Sequence, residues 1–366
     1  MQAIPKGPPA PLVRVTNQIR RGLAGAERAM VPAHIGLLEE VNRRWIGDAL
    51  GAVTKLEVIE SLADGPRDVD AVAAERSLDP AHLYRLLRAL AREGYLEQDG
   101  RRFGLTSRSR PLLRAHPDSC RNYVLEVTGH RNHQLWARLP DAVQAGTSAW
   151  GAAFPEHPDL WALLDAQPAE HAIFHGAMAE LSRDAAPVFA RAWDFGAVGS
   201  VVDLGGGTGS LLATILTLHP DLSGVLVDGA SVVEGAPEVL ARFGVADRCA
   251  VVAADIVADD IPAGHDVYLA KNISHGFDDA LLGATLGRWR RAMQPGARLL
   301  LIDVVVPEAG PYFAYLDLQM LVGSGGKERT RAEFEAVLEA AGFGSVRVHD
   351  TITPFSIVEA TAGGAA

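Results

Sequence analysis

The chain has 366 residues, 48% of them hydrophobic, and 45 acidic against 34 basic side chains give a formal net charge of -11 at pH 7. That length allows two domains with cores of their own, while the acidic balance argues against nucleic acid as a partner, since such affinity rests on Lys and Arg neutralising phosphates. No run of about 18 apolar residues and no basic leader before an apolar stretch is present, so no membrane partner is expected and the chain reads as cytoplasmic.

Only Cys120 and Cys249 are present. Two cysteines make no disulfide framework and lack the spacing of a zinc site, so no metal is expected. Residues 1–30 hold prolines and arginines (Arg14, Arg20, Arg21, Arg28) without clear periodicity and read as a flexible arm whose first dozen residues are disordered. From Ala33 to Leu113 the pattern is helical. Ile46, Leu50, Val53, Leu56, Ile59 and Leu62 recur at helical spacing until Gly65 and Pro66 end the run.

The stretch VDAVAAERSLDPAHLYRLLRALAREGYLEQDGRRFGLT predicts two short helices separated at Leu78, Asp79 and Pro80. Leu83, Leu86, Leu87 and Leu90 share a face of the second helix. Tyr95 to Leu105 then alternates about Asp99-Gly100, a hairpin signal. Helix, turn, helix and hairpin make a winged-helix domain over 31–113. Arg85, Arg88 and Arg92 lie opposite the leucines, where they suit either a DNA-facing surface or a solvated helix face.

Residues 114–194 are again helical and read as a linker that lines a pocket for an aromatic ligand. His130, His133, Trp136, Phe174 and Met178 are the candidates, and the histidines lack metal-ligand spacing. From 195 to 366 strands alternate with helices: SVVDL, GVLVD, CAVVAAD, DVYLA, ARLLLIDVVV, SVRVHD and SIVEA are the strands, with SLLATILTLH, SVVEGAPEVLARF, DDALLGATLGRWRRAM and RAEFEAVLEAAG between most of them. That alternation specifies an α/β fold with a doubly wound, Rossmann-like parallel sheet. The short connection at Pro354 makes one of the last two strands antiparallel.

VVDLGGGTG, residues 201–209, is a buried strand running into a glycine loop. Gly205, Gly206, Gly207 and Gly209 let backbone approach a nucleotide-like ligand. Asp228 ends the next strand, followed by Gly229, where a carboxylate can accept from both ribose hydroxyls. The G-x-G-x-G spacing and Asp203 two residues before the first glycine suit a ligand with an ammonium group and no pyrophosphate, which favours S-adenosylmethionine over NAD. Asp255 and Ile256 at the third strand end offer adenine one polar and one apolar contact.

With LYRLLRALAREGYL, VVDLGGGTG, the stretch around His275 and GGKERTRAEFEAVLEAAGF, the chain resembles the plant-type small-molecule O-methyltransferases, the caffeic-acid and flavonoid group with bacterial relatives in secondary metabolism, from about residue 35 onward. The resemblance implies that the winged-helix domain builds a homodimer and does not bind DNA. It puts the family's general base on His275, with supporting acids on Glu328 and Asp303, adds Lys271 to the cofactor set, and adds Asn272 and Met320 to the pocket of an aromatic small molecule. One departure stands out: Gly276-Phe277 follows the histidine where the family usually has Asp-Trp. The expected activity is methyl transfer to a phenolic or polyketide-like hydroxyl. Its rivals are a relative that holds the cofactor during decarboxylation, hydroxylation or a pericyclic step, and a winged-helix regulator that senses S-adenosylmethionine.

Overall fold

Asp79 caps the helix Pro80–Arg92 by accepting from His82 N at 2.8 Å, and Pro80 occupies its first turn. Leu83, Leu87 and Leu90 enter the core while Arg85, Arg88 and Arg92 are exposed. These features belong to a computed structural model that describes residues 10–308 and 313–363. Strand β1 (Arg67–Asp68) pairs with β3 (Arg102–Leu105), which pairs with β2 (Leu96–Asp99), all antiparallel. Gly100, at φ 57°, turns the hairpin. The winged helix expected from the leucine spacing and the Asp99-Gly100 turn is therefore present.

Two differences from the sequence reading precede it. Residues 10–30, read as an aperiodic arm, form the helix Ala10–Met30; residues 1–9 lie outside the described residues. The run from Ile46 to Leu62 is not one helix. Glu57 adopts a left-handed conformation (φ 57°) between Ala33–Lys55 and Val58–Ser61, and its carboxylate receives Arg114 and Arg121. A long-range ion pair, invisible to periodicity, marks this break.

The chain divides into two compact units. One comprises Arg14–His133 with Ala169–Leu181, and its core gathers Val53, Ile59, Leu62, Leu87 and Phe103. The segment 114–194, read as one linker, is thus divided: Gln134–Pro168 and everything from Ser182 belong to the other unit.

That second unit is the doubly wound domain. Its strands are β4 (Ser200–Leu204), β5 (Ser223–Asp228), β6 (Cys249–Ala253), β7 (Val267–Lys271) and β8 (Arg298–Asp303). A short ladder of β9 (Val305–Val306) with β10 (Arg329–Thr330) follows, and β11 (Phe343–Asp350) and β12 (Ser356–Ala362) complete the sheet. The seven-stranded order is β11-β12-β8-β7-β4-β5-β6, and only β12 runs against its neighbours. Val201, Leu226, Leu269 and Leu300 pack one face; Val202, Tyr268, Leu299 and Leu301 pack the other with Trp289 and Phe334. Burial on both faces accounts for the continuous apolar strands. SVVEGAPEVLARF is two helices, Ala230–Val233 and Ala236–Phe243, because Gly235 and Pro237 interrupt it.

Candidate active site

The glycine loop connects β4 to the helix Ser210–Leu218. Gly205, Gly207 and Gly209 have φ of 68°, 63° and 83°, so the G-x-G-x-G spacing records three left-handed positions in one turn. Gly206 is needed for space: a Cβ there would stand 2.5 Å from the Asp203 carboxylate and from Leu226. Asp228, half-buried at the end of β5, accepts from Gly207 N and Gly229 N at 2.7 Å each. Burial pushes its pKa up while those two N–H groups pull against the rise. The carboxylate thus holds the loop in shape and keeps lone pairs for a ligand.

Asp203 is 1% exposed, and its Oδ2 has no protein partner. Burial, then the charge of Asp228, raise its pKa to about 7 against the pull of Lys271. An acid in that state is a site for a cation. Lys271, the last residue of β7, donates to Ser182 Oγ at 3.2 Å and lies 5.9 Å from the Phe355 ring. Burial lowers its pKa, opposed by Asp303 and Asp203. Asp255 is exposed and accepts from Val257 N and Ala258 N in a tight turn, while Ile256 stands beside Gly205. The acid, the loop and the two later strand ends therefore form one continuous edge.

The turn after β7 carries the histidine. Asn272 is left-handed (φ 56°) with a buried, unpartnered Oδ1, and a 3-10 turn then spans Ser274–Gly276. His275 is 7% exposed and its Nδ1 lies 2.8 Å from Glu328 Oε1 and 3.8 Å from Asp303 Oδ1. Ser274 Oγ donates to Asp303. Burial alone would lower the His275 pKa; the charge of Asp303 and the hydrogen bond that the ring donates to Glu328 outweigh it, so the value is raised. Burial raises Asp303 to about 6 despite the opposing charge of His275. Three residues assigned through the resemblance, His275, Glu328 and Asp303, thus form one buried cluster.

The pocket candidates divide. Trp136 donates from Nε1 to Gln319 Oε1 at 2.6 Å, next to Met320 on the helix Ala314–Gly323, in the unit that holds His275. His130, His133, Phe174 and Met178 belong to the other unit. There His133 pairs with Asp48 at 3.0 Å, and Arg131 lies over the Phe174 ring at 5.9 Å. Sequence reasoning missed Ser274, Asp317, Gly326 and Arg329. Gly326 and Arg329 stand inside a quoted motif and Ser274 next to His275, but no periodicity marks a residue whose partner lies far along the chain.

Residues 136–344 match the O-methyltransferase domain and residues 39–115 the O-methyltransferase dimerisation domain. The chain is 34% identical over 333 residues to the phenazine O-methyltransferase of Lysobacter antibioticus, covering 90% of this chain and 96% of that protein. It is 35% identical over 316 residues to the 8-amino-8-demethylriboflavin N,N-dimethyltransferase of Streptomyces davaonensis, 85% of this chain and 90% of that one. A methyltransferase of calicheamicin biosynthesis, solved in its S-adenosylhomocysteine-bound form, superposes with a TM-score of 0.75 at 33% identity, covering 90% of this chain and 98% of that one. The chain belongs to the O-methyltransferase family, a family of enzymes that use S-adenosylmethionine. It is an S-adenosylmethionine-dependent methyltransferase of the secondary-metabolism type, and its winged helix corresponds to that family's dimerisation domain.

Proposed function

We propose that this enzyme methylates a hydroxyl on an aromatic, phenolic or polyketide-like small molecule, with His275 as general base. The observation that carries this reading is the buried His275–Glu328 pair, 2.8 Å apart beside Asp303 at the carboxyl edge of a parallel sheet. That edge is where doubly wound folds keep their active sites.

The cofactor supplies a methyl group on a sulfonium, electrophilic without further activation. The residues fit it: the unpartnered Asp203 Oδ2 suits its ammonium, Asp228 its ribose, and Asp255 with Ile256 its adenine, while the glycines leave backbone room. Lys271 balances the carboxylates between that edge and the base. What remains for the protein is to place the acceptor oxygen in line and remove its proton. Glu328 occupies Nδ1, which leaves Nε2 of His275 to take the proton. Glu328 and Asp303 then stabilise the imidazolium, each negative when the ring is positive.

The acting form is a homodimer on this reading. Ile19, Leu23, Met30, Leu37, Leu38, Val41 and Trp45 are exposed on the first two helices, more apolar surface than a monomer leaves in water. Sedimentation should give twice the chain mass of 38.9 kDa. A monomer mass at micromolar protein would refute the dimer.

The chemical test is transfer of labelled methyl from S-adenosylmethionine to a panel of hydroxynaphthoates and hydroxyphenazines across pH. The base must be neutral to accept a proton, and its pKa is raised, so the rate should fall as pH drops through a value above about 6.5. Binding of the cofactor without transfer to any hydroxyl would overturn the assignment.

A further inference from the structure

Next to Glu328 stands a guanidinium that no sequence motif explained. Arg329 is 0% exposed, and burying its charge is costly unless every donor is used. All five are. Nη1 donates to Ser274 O at 2.8 Å and Lys327 O at 3.3 Å; Nη2 donates to Phe277 O at 2.8 Å and meets Asp279 Oδ1 at 2.9 Å; Nε donates to the same Asp279 oxygen at 3.0 Å. The two backbone acceptors at 274 and 277 bracket His275.

The segment that carries Arg329 is fixed as firmly as the turn it grips. Arg329 and Thr330 pair in parallel with Val305 and Val306, just beyond Asp303. Gly326 lies flat against the turn, where any Cβ would fall on the backbone of His275, Gly276 and Phe277. Asp317 accepts from Glu328 N at 2.9 Å, and Lys327 pairs with Asp279 at 2.9 Å. Between the Gly326 contact and the Arg329 fork, Glu328 has one place to go.

We infer that Arg329 is a positioning residue for the base: its fork locks the 274–277 turn to the 326–329 segment, and so holds Glu328 against His275 Nδ1. The inference rests on reading His275 as the base. It also accounts for a turn that works with glycine at 276, since its rigidity comes from Arg329 and not from an acid beside the histidine. Lysine cannot replace the fork, because its three donors radiate from one nitrogen.

The charged groups facing His275 are Asp303 from β8, Glu328 from the 326–329 segment and Lys271 from β7. Arg329, Lys327 and Asp279 form the clamp around its turn. If the clamp loosens, the Glu328 hydrogen bond weakens and burial is less opposed, so the His275 pKa falls. The test is an NMR titration of histidine-labelled protein, with the His275 signal identified by its loss in His275→Gln. In Arg329→Lys the midpoint should drop by about half a pH unit or more, with cofactor affinity by calorimetry within about twofold of wild type.

Should Arg329→Lys not fold, Asp279→Asn is read the same way. Its side chain is 60% exposed, it grips only the outer edge of the guanidinium, and a smaller drop in the same direction is expected. A midpoint that does not move in folded Arg329→Lys, or in Asp279→Asn when the lysine variant is unfolded, overturns the clamp. The base itself is judged separately by methyl transfer in His275→Gln. Full transfer there sinks the base reading and the clamp with it, whereas slow transfer with an unmoved midpoint sinks the clamp alone.

Discussion

The two ends of the active site are built differently. The proposed cofactor edge is assembled from neighbours: Asp228 reaches back 21 positions to Gly207, and the loop takes its shape from backbone N–H groups and positive φ angles. The proposed base is assembled from strangers: Glu328 meets His275 across 53 positions and Asp303 receives Ser274 across 29. A backbone-built site tolerates side-chain change except at the few acids that touch the ligand. A side-chain-built site loses function when any one partner lets go.

Removing the proposed base should show the largest effect. His275→Ala is expected to cut single-turnover methyl transfer by roughly 10² to 10⁴ while leaving cofactor affinity nearly unchanged, because only proton transfer is lost. The acidic limb of the pH profile should vanish with it. A variant that kept both rate and limb would erase the contrast, leaving the cofactor edge as the whole site.

The matching cut at the other end is Asp228→Ala. Two hydrogen bonds to a charged acceptor are lost, for roughly 2 to 4 kcal/mol, or about 30- to 1000-fold in cofactor affinity by calorimetry. The bonds from Gly207 and Gly229 go too, so the upper part of that range is expected. Unchanged affinity would mean that the carboxylate only braces the loop.

A pH dependence separates Asp203 from Asp228. Asp203 has a pKa raised to about 7 despite the pull of Lys271, and a cationic ligand prefers the ionised form. Its folded value lies above the ordinary one, so the proton must leave on binding. Affinity should therefore climb as pH rises from 6 toward 7, by up to about tenfold per unit. It should level off as the cofactor's own ammonium begins to titrate near 8. Asp203→Asn should flatten the curve; a curve of unchanged slope would place the ammonium elsewhere.

This contrast also decides what could be read from the amino-acid order. The sheet, the glycine loop, Asp203 and Asp228 were legible because strand period, positive φ and strand-end position are local properties. The winged helix was legible for the same reason, through Asp79-Pro80, the leucines and Asp99-Gly100. His275, Glu328 and Asp303 came only through family resemblance, since nothing in residues 268–279 points 53 positions ahead. The break at Glu57 and the Arg329 clamp stayed hidden because each is an ion pair between residues far apart in the chain, closed by tertiary packing. The helix Ala10–Met30 was missed because its apolar face is exposed, and arginine-rich composition masked its period.

Within the base, Glu328→Gln should cost less than losing the histidine, about tenfold in rate. The amide still accepts from Nδ1 but no longer supplies the charge that raises the His275 pKa. The acidic limb should move to lower pH. A loss as large as that of His275→Ala would make the carboxylate, not the ring, the decisive group.

The smallest effect belongs to Gly276, where the family resemblance leads one to expect aspartate. Gly276 does not have a positive φ, and a Cβ built on it meets nothing within 4 Å. Gly276→Asp therefore carries neither the left-handed backbone cost nor a clash, and stability should change by no more than about 0.5 kcal/mol. A carboxylate there would stand beside a ring that already has Glu328 on Nδ1 and Asp303 at 3.8 Å. With that position occupied, the new charge can act only through space. It should raise the His275 pKa further, move the acidic limb to higher pH and leave the plateau rate within about threefold of wild type. If the folded variant instead lost tenfold or more on the plateau with an unmoved limb, the glycine would be there to make room for the acceptor. The departure from Asp-Trp would then mark the substrate and not the base.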